Sequence, residues 1–462
     1  MKRKTRNRIF LTGGLLAAGF IIYAGVQADR LAKIGAGYKA KVACSEIFLA
    51  GRDRQTVLDA EFEGMDPLMK QVGVRVSEED RTARAAGPLG FGQARALYRD
   101  GYGCTLANGG RVSTLPGYET SPTAIPWDEA RAGSEAASGR VDYAALDAAL
   151  NAAFEPNDLN HRAVLVAVDG AIVAERYADG FTRDTPLLSW SMGKSVTATL
   201  IGAAVLDGYI DLGAPAPAAE WRADPARARI TWNDLLQMQS GLAFEEEYGK
   251  ARSAVNRMLF EATDAGGLAL RSRAEAAPGE VWYYSSGTTN ILARLFRETL
   301  ARSGFDDQQF ARSALFDPLG AASFVLEPDA SGAFIGSSFV YATARDWARL
   351  GQLYLEDGVW NGERLLPEGW ADYVATPAAA SDDQYGAQFW LNRDGANGRE
   401  RFVPGLPEDV YFMSGHEGQY VYIVPSKRMV IVRAGITRDR EPQPATAPLL
   451  KAIYDAVGDP AP

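Results

Sequence analysis

The run Val196-Thr197-Ala198-Thr199-Leu200-Ile201-Gly202-Ala203-Ala204-Val205-Leu206 constrains this chain more than any other stretch. It holds no proline or charge and is too long for an ordinary strand. It therefore predicts a buried helix ending near Gly208. Ser191-Met192-Gly193-Lys194 opens it. Positions three apart share a helix face, so the Ser191 hydroxyl should sit beside the Lys194 amine. A serine hydroxyl attacks well only when a neighbouring base takes its proton. A buried lysine can be that base, because desolvation disfavours its charged form. The start of a helix also leaves backbone N–H groups where an oxyanion would form. Ser-x-x-Lys by itself arises by chance about once or twice in a chain this long. What gives this copy weight is its place before an apolar helix and the residues that follow.

Composition removes several classes of function. The chain has 462 residues, 47% hydrophobic and 23% charged, enough for two or three domains. Net charge is −10, with no broad basic surface of the kind nucleic acid demands. The two histidines, His161 and His416, leave no His-x-x-x-His pair, and two cysteines cannot make a four-cysteine zinc site. No metal or organic cofactor is called for.

Five of the first eight residues are basic, and Ile9 to Val26 is apolar apart from Thr12. Residues 1–28 therefore read as a signal peptide or a signal anchor in the inner membrane, with the rest exported to the periplasm. Val26-Gln27-Ala28 offers small residues for cleavage, and cleavage stays open. Export permits disulfides, so Cys44 and Cys104, the only cysteines, are expected to be bonded. Residues 29–120 read as a separate extension. Thr56–Phe62 is weakly helical, and Val72–Val76 and Ala94–Tyr98 alternate as a small hairpin around Gly87-Pro88-Leu89-Gly90. Residues 109–135 read as a linker.

Residues 121–462 form the main domain. Val141–Phe154 predicts a helix. Asp169-Gly170 between two apolar runs predicts a β-hairpin. Strands return late, at Ala387–Leu391, Val410–Phe412, Gln419–Val424 and Met429–Ala434, and Leu449–Val457 predicts a closing helix. Strands at both ends with helices between them predict an α/β (α+β) fold. One sheet would be completed by both halves of the chain, with an inserted helical domain.

Three stretches could meet Ser191. Leu235-Leu236-Gln237-Met238-Gln239-Ser240-Gly241-Leu242 leads into an acidic loop ending at Tyr248. Trp282-Tyr283-Tyr284-Ser285-Ser286-Gly287 precedes an apolar helix, and a tyrosine there could relay a proton. Gly415-His416-Glu417-Gly418 precedes a strand whose edge could supply an N–H, with glycines that let backbone approach a ligand.

In this order the motifs resemble the serine β-lactamase and penicillin-binding-protein superfamily. Within it they resemble the class C and esterase branch, and the 6-aminohexanoate-dimer hydrolase group in particular. The resemblance covers roughly residues 125–462. It is carried by Ser191–Lys194, Leu235–Tyr248, Trp282–Leu292, Ala342–Arg349 and Gly415–Gly418. It implies a β-lactamase-like antiparallel sheet flanked by helices. It also implies a Ser191 nucleophile with Lys194 and Tyr284 as acid/base groups, and an oxyanion hole from the backbone N–H groups of Ser191 and Gln419. Tyr248, Ser286, His416 and Gly418 would line the substrate site. Ser286 stands where the β-lactamase pattern has asparagine, which puts β-lactam turnover in doubt. The substrate implied is a small-molecule amide or ester.

Two other readings stay open. Ser189-Trp190-Ser191-Met192-Gly193 comes close to a Gly-x-Ser-x-Gly turn, which would make His416 the base of a Ser-His-Asp esterase. A non-catalytic protein binding peptidoglycan or a peptide in the same pocket is the third. Oligomeric state is not readable.

Overall fold

The computed structural model describes residues 2–117, 127 and 139–460, and within them the side chains of residue 20 and of residue 22 onward. Most of the expected linker at 109–135 lies outside the described residues. The chain opens with one long helix, α1 (Lys2–Cys44). The apolar run 9–26 falls inside it, largely on side chains outside those described. Among the described residues no helix is long and apolar enough to cross a membrane.

The C-terminal part of α1 packs into the body. Ile34, Ala36, Ala40, Val42 and Ala43 are buried in the same apolar cluster as Leu165 and Val430 of the main sheet. Close approach is allowed by Gly37, where a Cβ would lie 2.2 Å from the Phe260 carbonyl oxygen. The extension thus shares one core with the rest and does not stand apart from it. The absence of an amphipathic stripe in this small-residue helix is why the sequence left residues 29–44 without an element.

Against α1 lies a four-stranded antiparallel meander of β1 (Gly73–Ser77), β2 (Thr82–Ala86), β3 (Ala94–Arg99) and β4 (Gly103–Leu106). The two expected strands are real but not neighbours. Thr82–Ala86 runs between them, and the Gly87–Gly90 turn joins β2 to β3. Thr-Ala-Arg-Ala-Ala has weak strand propensity and was invisible for that reason. Cys104 in β4 is disulfide-bonded to Cys44 at the end of α1, with Cα atoms 6.0 Å apart.

The main sheet has six strands, β5 (His161–Val168), β6 (Ala171–Tyr177), β12 (Trp390–Leu391), β13 (Tyr411–Gly415), β14 (Gln419–Val424) and β15 (Met429–Gly435). Their order is β12-β13-β14-β15-β5-β6 and every pairing is antiparallel. Asp169 and Gly170 turn β5 into β6 with φ of 48° and 78°, the left-handed pair that a two-residue hairpin requires. Shorter strands complete the count. β7 (Leu187–Leu188), β8 (Val325–Leu326) and β9 (Val340–Ala342) form a three-stranded sheet, and β10 (Val359–Trp360) pairs with β11 (Glu363–Arg364).

Both faces of the main sheet are covered, so β5 is buried along its whole length. Side chains alternate between faces in a strand. Val164, Val166 and Val168 meet Leu146 and Leu150 of α2 (Tyr143–Phe154) and Leu450 and Ile453 of α6 (Pro442–Asp455). Ala163, Leu165 and Ala167 face the helices of the middle segment, including α3 (Gly193–Leu206), α4 (Ser286–Arg302) and α5 (Ala344–Leu355). In α3, every residue from Gly193 to Ala204 is buried.

Charges are also sealed where the extension meets the body. Lys41 of α1 and Glu327 form an ion pair with 1% and 0% side-chain exposure. Glu327 accepts in addition from Ser45 Oγ at 2.8 Å and from the Cys104 N–H at 2.5 Å. Removing one member of a buried pair leaves the other uncompensated. Lys41→Met should therefore lower unfolding free energy by ~3–5 kcal/mol in chemical denaturation. A loss below about 1 kcal/mol would mean that the pair is solvated.

Candidate active site

Ser191 lies in a short 3-10 turn, Trp190–Met192, immediately before α3. Trp190 has φ of 43°, a left-handed conformation that costs a bulky residue energy and must be held by its surroundings. The turn is tied to β9. Ser189 N–H donates to the Val340 carbonyl at 2.8 Å, and Ser189 Oγ donates to the Ser338 carbonyl at 3.0 Å. The 3-10 geometry aligns positions three apart more closely than an α-helix does, which brings Ser191 over Lys194.

Lys194 is 1% exposed. Its Nζ lies 2.9 Å from Ser191 Oγ, 2.9 Å from Ser286 Oγ and 3.3 Å from the Ser337 carbonyl oxygen. Burial pushes its amine down to about 8, against the pull of the Glu246 charge. The Tyr284 ring covers the amine, with Nζ 4.7 Å from its centroid. Burial and then the Glu246 charge hold this phenol well above its ordinary range, so it stays protonated, while Ser191 works the other way. Tyr385 and Trp390 fix the ring, with centroids 5.9 Å and 5.2 Å away.

Tyr284 and Ser286 come from the chain just ahead of α4. Ser285 caps that helix by accepting from the Thr288 N–H at 3.0 Å. Ser286 is fully buried, and its hydroxyl is committed to Lys194 and Glu246. It bridges the Lys194 amine and the Glu246 carboxylate. Tyr248 and His416 stack on each other with ring centroids 5.5 Å apart, and the His416 edge meets Trp190 at 5.6 Å. Among the described residues His416 has no hydrogen bond to Ser191, whereas Lys194 has one. The geometry therefore favours the lysine over the Ser-His-Asp reading.

Gln419 opens β14, opposite Gly415 of β13. Its side chain turns inward to the Gly435 backbone. The glycines beside it make room for protein, not for ligand. A Cβ on Gly415 would lie 2.1 Å from the Ser189 carbonyl oxygen, and one on Gly418 would lie 2.2 Å from Arg433 Nη1. The first contact is what brings this sheet edge to the nucleophile turn. Cys44 and Cys104 belong to the packing of the extension and not to this site.

The sequence missed Glu246 and the Ser337 carbonyl. Glu246 stands between two other glutamates in an acidic loop, and nothing in its pattern sets it apart. Among the described residues no group of His, Cys, Asp and Glu side chains is placed to hold a metal ion. What the arrangement offers is a hydroxyl bonded to an amine of depressed basicity, with the ring of a protonated phenol over that amine.

The model of the Beta-lactamase family matches residues 158–453, well over half of the chain. The chain belongs to the Beta-lactamase family. A 6-aminohexanoate-dimer hydrolase from Paenarthrobacter ureafaciens is 27% identical over 289 residues, covering 59% of this chain and 71% of the relative. Two solved structures share the fold. A penicillin-binding-protein homologue from Caulobacter crescentus has a TM-score of 0.54 at 18% identity, with 68% of this chain and 98% of that one covered. A family VIII carboxylesterase has a TM-score of 0.53 at 16% identity, with the same coverage of both chains. The antiparallel sheet flanked by helices is thus that of β-lactamase-like proteins, and the family is one of hydrolases. The match begins at residue 158, so the packed extension lies outside it.

For a Beta-lactamase family member with this lysine as base, the active form is the neutral amine. Hydrolysis measured as kcat/KM should rise with pH and level off above about 8, the value to which burial lowers Lys194. A rate already flat from about pH 6 would exclude Lys194 as the titrating base.

Proposed function

We propose that this protein is a serine hydrolase that opens an amide or ester bond through an acyl-enzyme on Ser191. The observation that carries the reading is the buried Lys194 amine, 2.9 Å from Ser191 Oγ and 4.7 Å from the centroid of the Tyr284 ring. Ser191 Oγ attacks the carbonyl carbon and its proton passes to Lys194 Nζ. The N–H groups of Ser191 and Gln419 would receive the oxyanion. As the tetrahedral intermediate collapses, the leaving amine or alcohol takes a proton through Tyr284, which Lys194 restores. Water then attacks the ester by the same route in reverse, giving the free acid and the original Ser191. Tyr248 and His416 would form the wall over the acyl group.

A linear amide or an ester suits this site better than a β-lactam. The residue in the asparagine position is Ser286, and its one hydroxyl proton is already given to Glu246, so none is left for a ligand's carbonyl. Names among the relatives, a dimer hydrolase and a carboxylesterase, point the same way. The basic, apolar N-terminus would hold the protein in the inner membrane with the site exported. Full-length protein should then sediment with membranes, while the chain started at Asp29 should not.

Ser191→Ala should reduce hydrolysis of a p-nitrophenyl ester by at least ~1,000-fold. A serine-directed fluorophosphonate should add to Ser191 in the native protein, read by peptide mass spectrometry. Labelling elsewhere with unchanged turnover in Ser191→Ala would reject the mechanism. A chromogenic cephalosporin should be turned over at least ~100-fold more slowly than the ester.

A further inference from the structure

A neutral primary amine has two N–H groups and one lone pair. Lys194 has three oxygen neighbours at those three positions: Ser191, Ser286 and the Ser337 carbonyl. For Lys194 to act as a base, the lone pair must face Ser191. The Ser337 carbonyl can only accept, so it takes an N–H. Ser286 could turn either way. With its own proton directed at Nζ it would cap the lone pair and silence the base. With its proton directed elsewhere it accepts the second N–H, and the lone pair is left for Ser191.

Glu246 decides this choice. Its Oε2 accepts from the Ser286 N–H at 2.8 Å and its Oε1 accepts from Ser286 Oγ at 2.5 Å. Both donors of Ser286 are thus taken by one carboxylate, and the hydroxyl can only accept from Lys194. The carboxylate sits at the N-terminus of α4, a helix of 17 residues, where negative charge is favoured. Tyr248 donates a third hydrogen bond to Oε1 at 3.0 Å, which ties the loop wall to the same group.

We propose that Glu246 is a positioning residue for the base: by fixing Ser286 as an acceptor it aims the Lys194 lone pair at Ser191. The assignment rests on the acyl-enzyme reading above. Glu246 has a second effect, through charge. The groups facing Lys194 are Ser191, Ser286, the Ser337 carbonyl, Tyr284 and, behind Ser286, Glu246 with Tyr248 on its far side. Of these only Glu246 holds the amine's basicity up against burial.

Glu246→Gln separates this role from simple support. Glutamine keeps the size but presents one acceptor and one donor, so one donor of Ser286 loses its partner. With p-nitrophenyl ester as substrate, kcat should fall at least ~10-fold while KM stays within about threefold. The rising limb of the pH profile should also move to lower pH, because the charge that raised the Lys194 pKa is gone. A residue that merely supports the fold would not move that limb. Ser286→Ala alone should lower kcat without moving the limb. Adding Glu246→Gln to it should cost little further kcat yet shift the profile. Thermal melts of each variant show that it is folded. A Glu246→Gln enzyme with kcat within about twofold of the parent, or with the limb unmoved, overturns the assignment. Ser191→Ala in the same assay separates the two levels. If it still turns over ester, the acyl-enzyme reading fails. If it is inactive while Glu246→Gln behaves as the parent, only the role of Glu246 fails.

Discussion

A lysine amine withdrawn from water is the constraint on which this active site depends. Lys194 sits at 1% exposure with three oxygens around Nζ and an aromatic ring over it. Burial and not a partner charge lowers its basicity, since the one carboxylate near it acts in the opposite direction. The same burial keeps the Tyr284 phenol protonated. One environment thus favours a neutral amine and a protonated phenol side by side, because desolvation disfavours an ammonium and a phenolate alike.

The environment is assembled from far-separated parts of the chain. The nucleophile turn precedes α3, the phenol and Ser286 precede α4, and Glu246 and Tyr248 come from the acidic loop. Gly415 lets the edge of the main sheet touch the backbone of Ser189. The N-terminal segment joins in as well. Tyr38 of α1 stacks on Trp190, the residue before the nucleophile, with centroids 6.0 Å apart. Trp190 then meets His416, and His416 stacks on Tyr248. A line of aromatic rings therefore runs from the extension, past the nucleophile turn, to the wall of the site. The buried Lys41–Glu327 pair holds that extension to the body, and the Cys44–Cys104 bond ties the extension's helix to its sheet.

Legibility followed the strength of local patterns. Asp169-Gly170, Gln419–Val424 and Met429–Ala434 read clearly because turn chemistry or a largely apolar run leaves few alternatives. The strand Thr82–Ala86 and the helix over residues 29–44 did not, because short alanine- and glycine-rich segments carry little periodic signal. They take their form from what they pack against. Within the site, Ser191, Lys194 and Tyr284 stood out through spacing and order. Ser286 was read as lining the substrate site, and the contacts of its hydroxyl with Lys194 and Glu246 were not legible. Glu246 was hidden among like residues, and its partner lies 40 positions away.

The sequence by itself determined the components: a buried helix with Ser-x-x-Lys at its start, a sheet shared between the two ends of the chain, and an ordered set of motifs. Those are properties of local composition and spacing, which a linear reading can resolve. Only the tertiary structure decided which oxygens surround Lys194, that Glu246 reaches Ser286, and that the extension packs behind the Ser191 turn. Hydrogen-bond polarity and burial depend on which distant groups arrive at the same point. That is a property of the packed chain as a whole, and no single stretch of it carries the information.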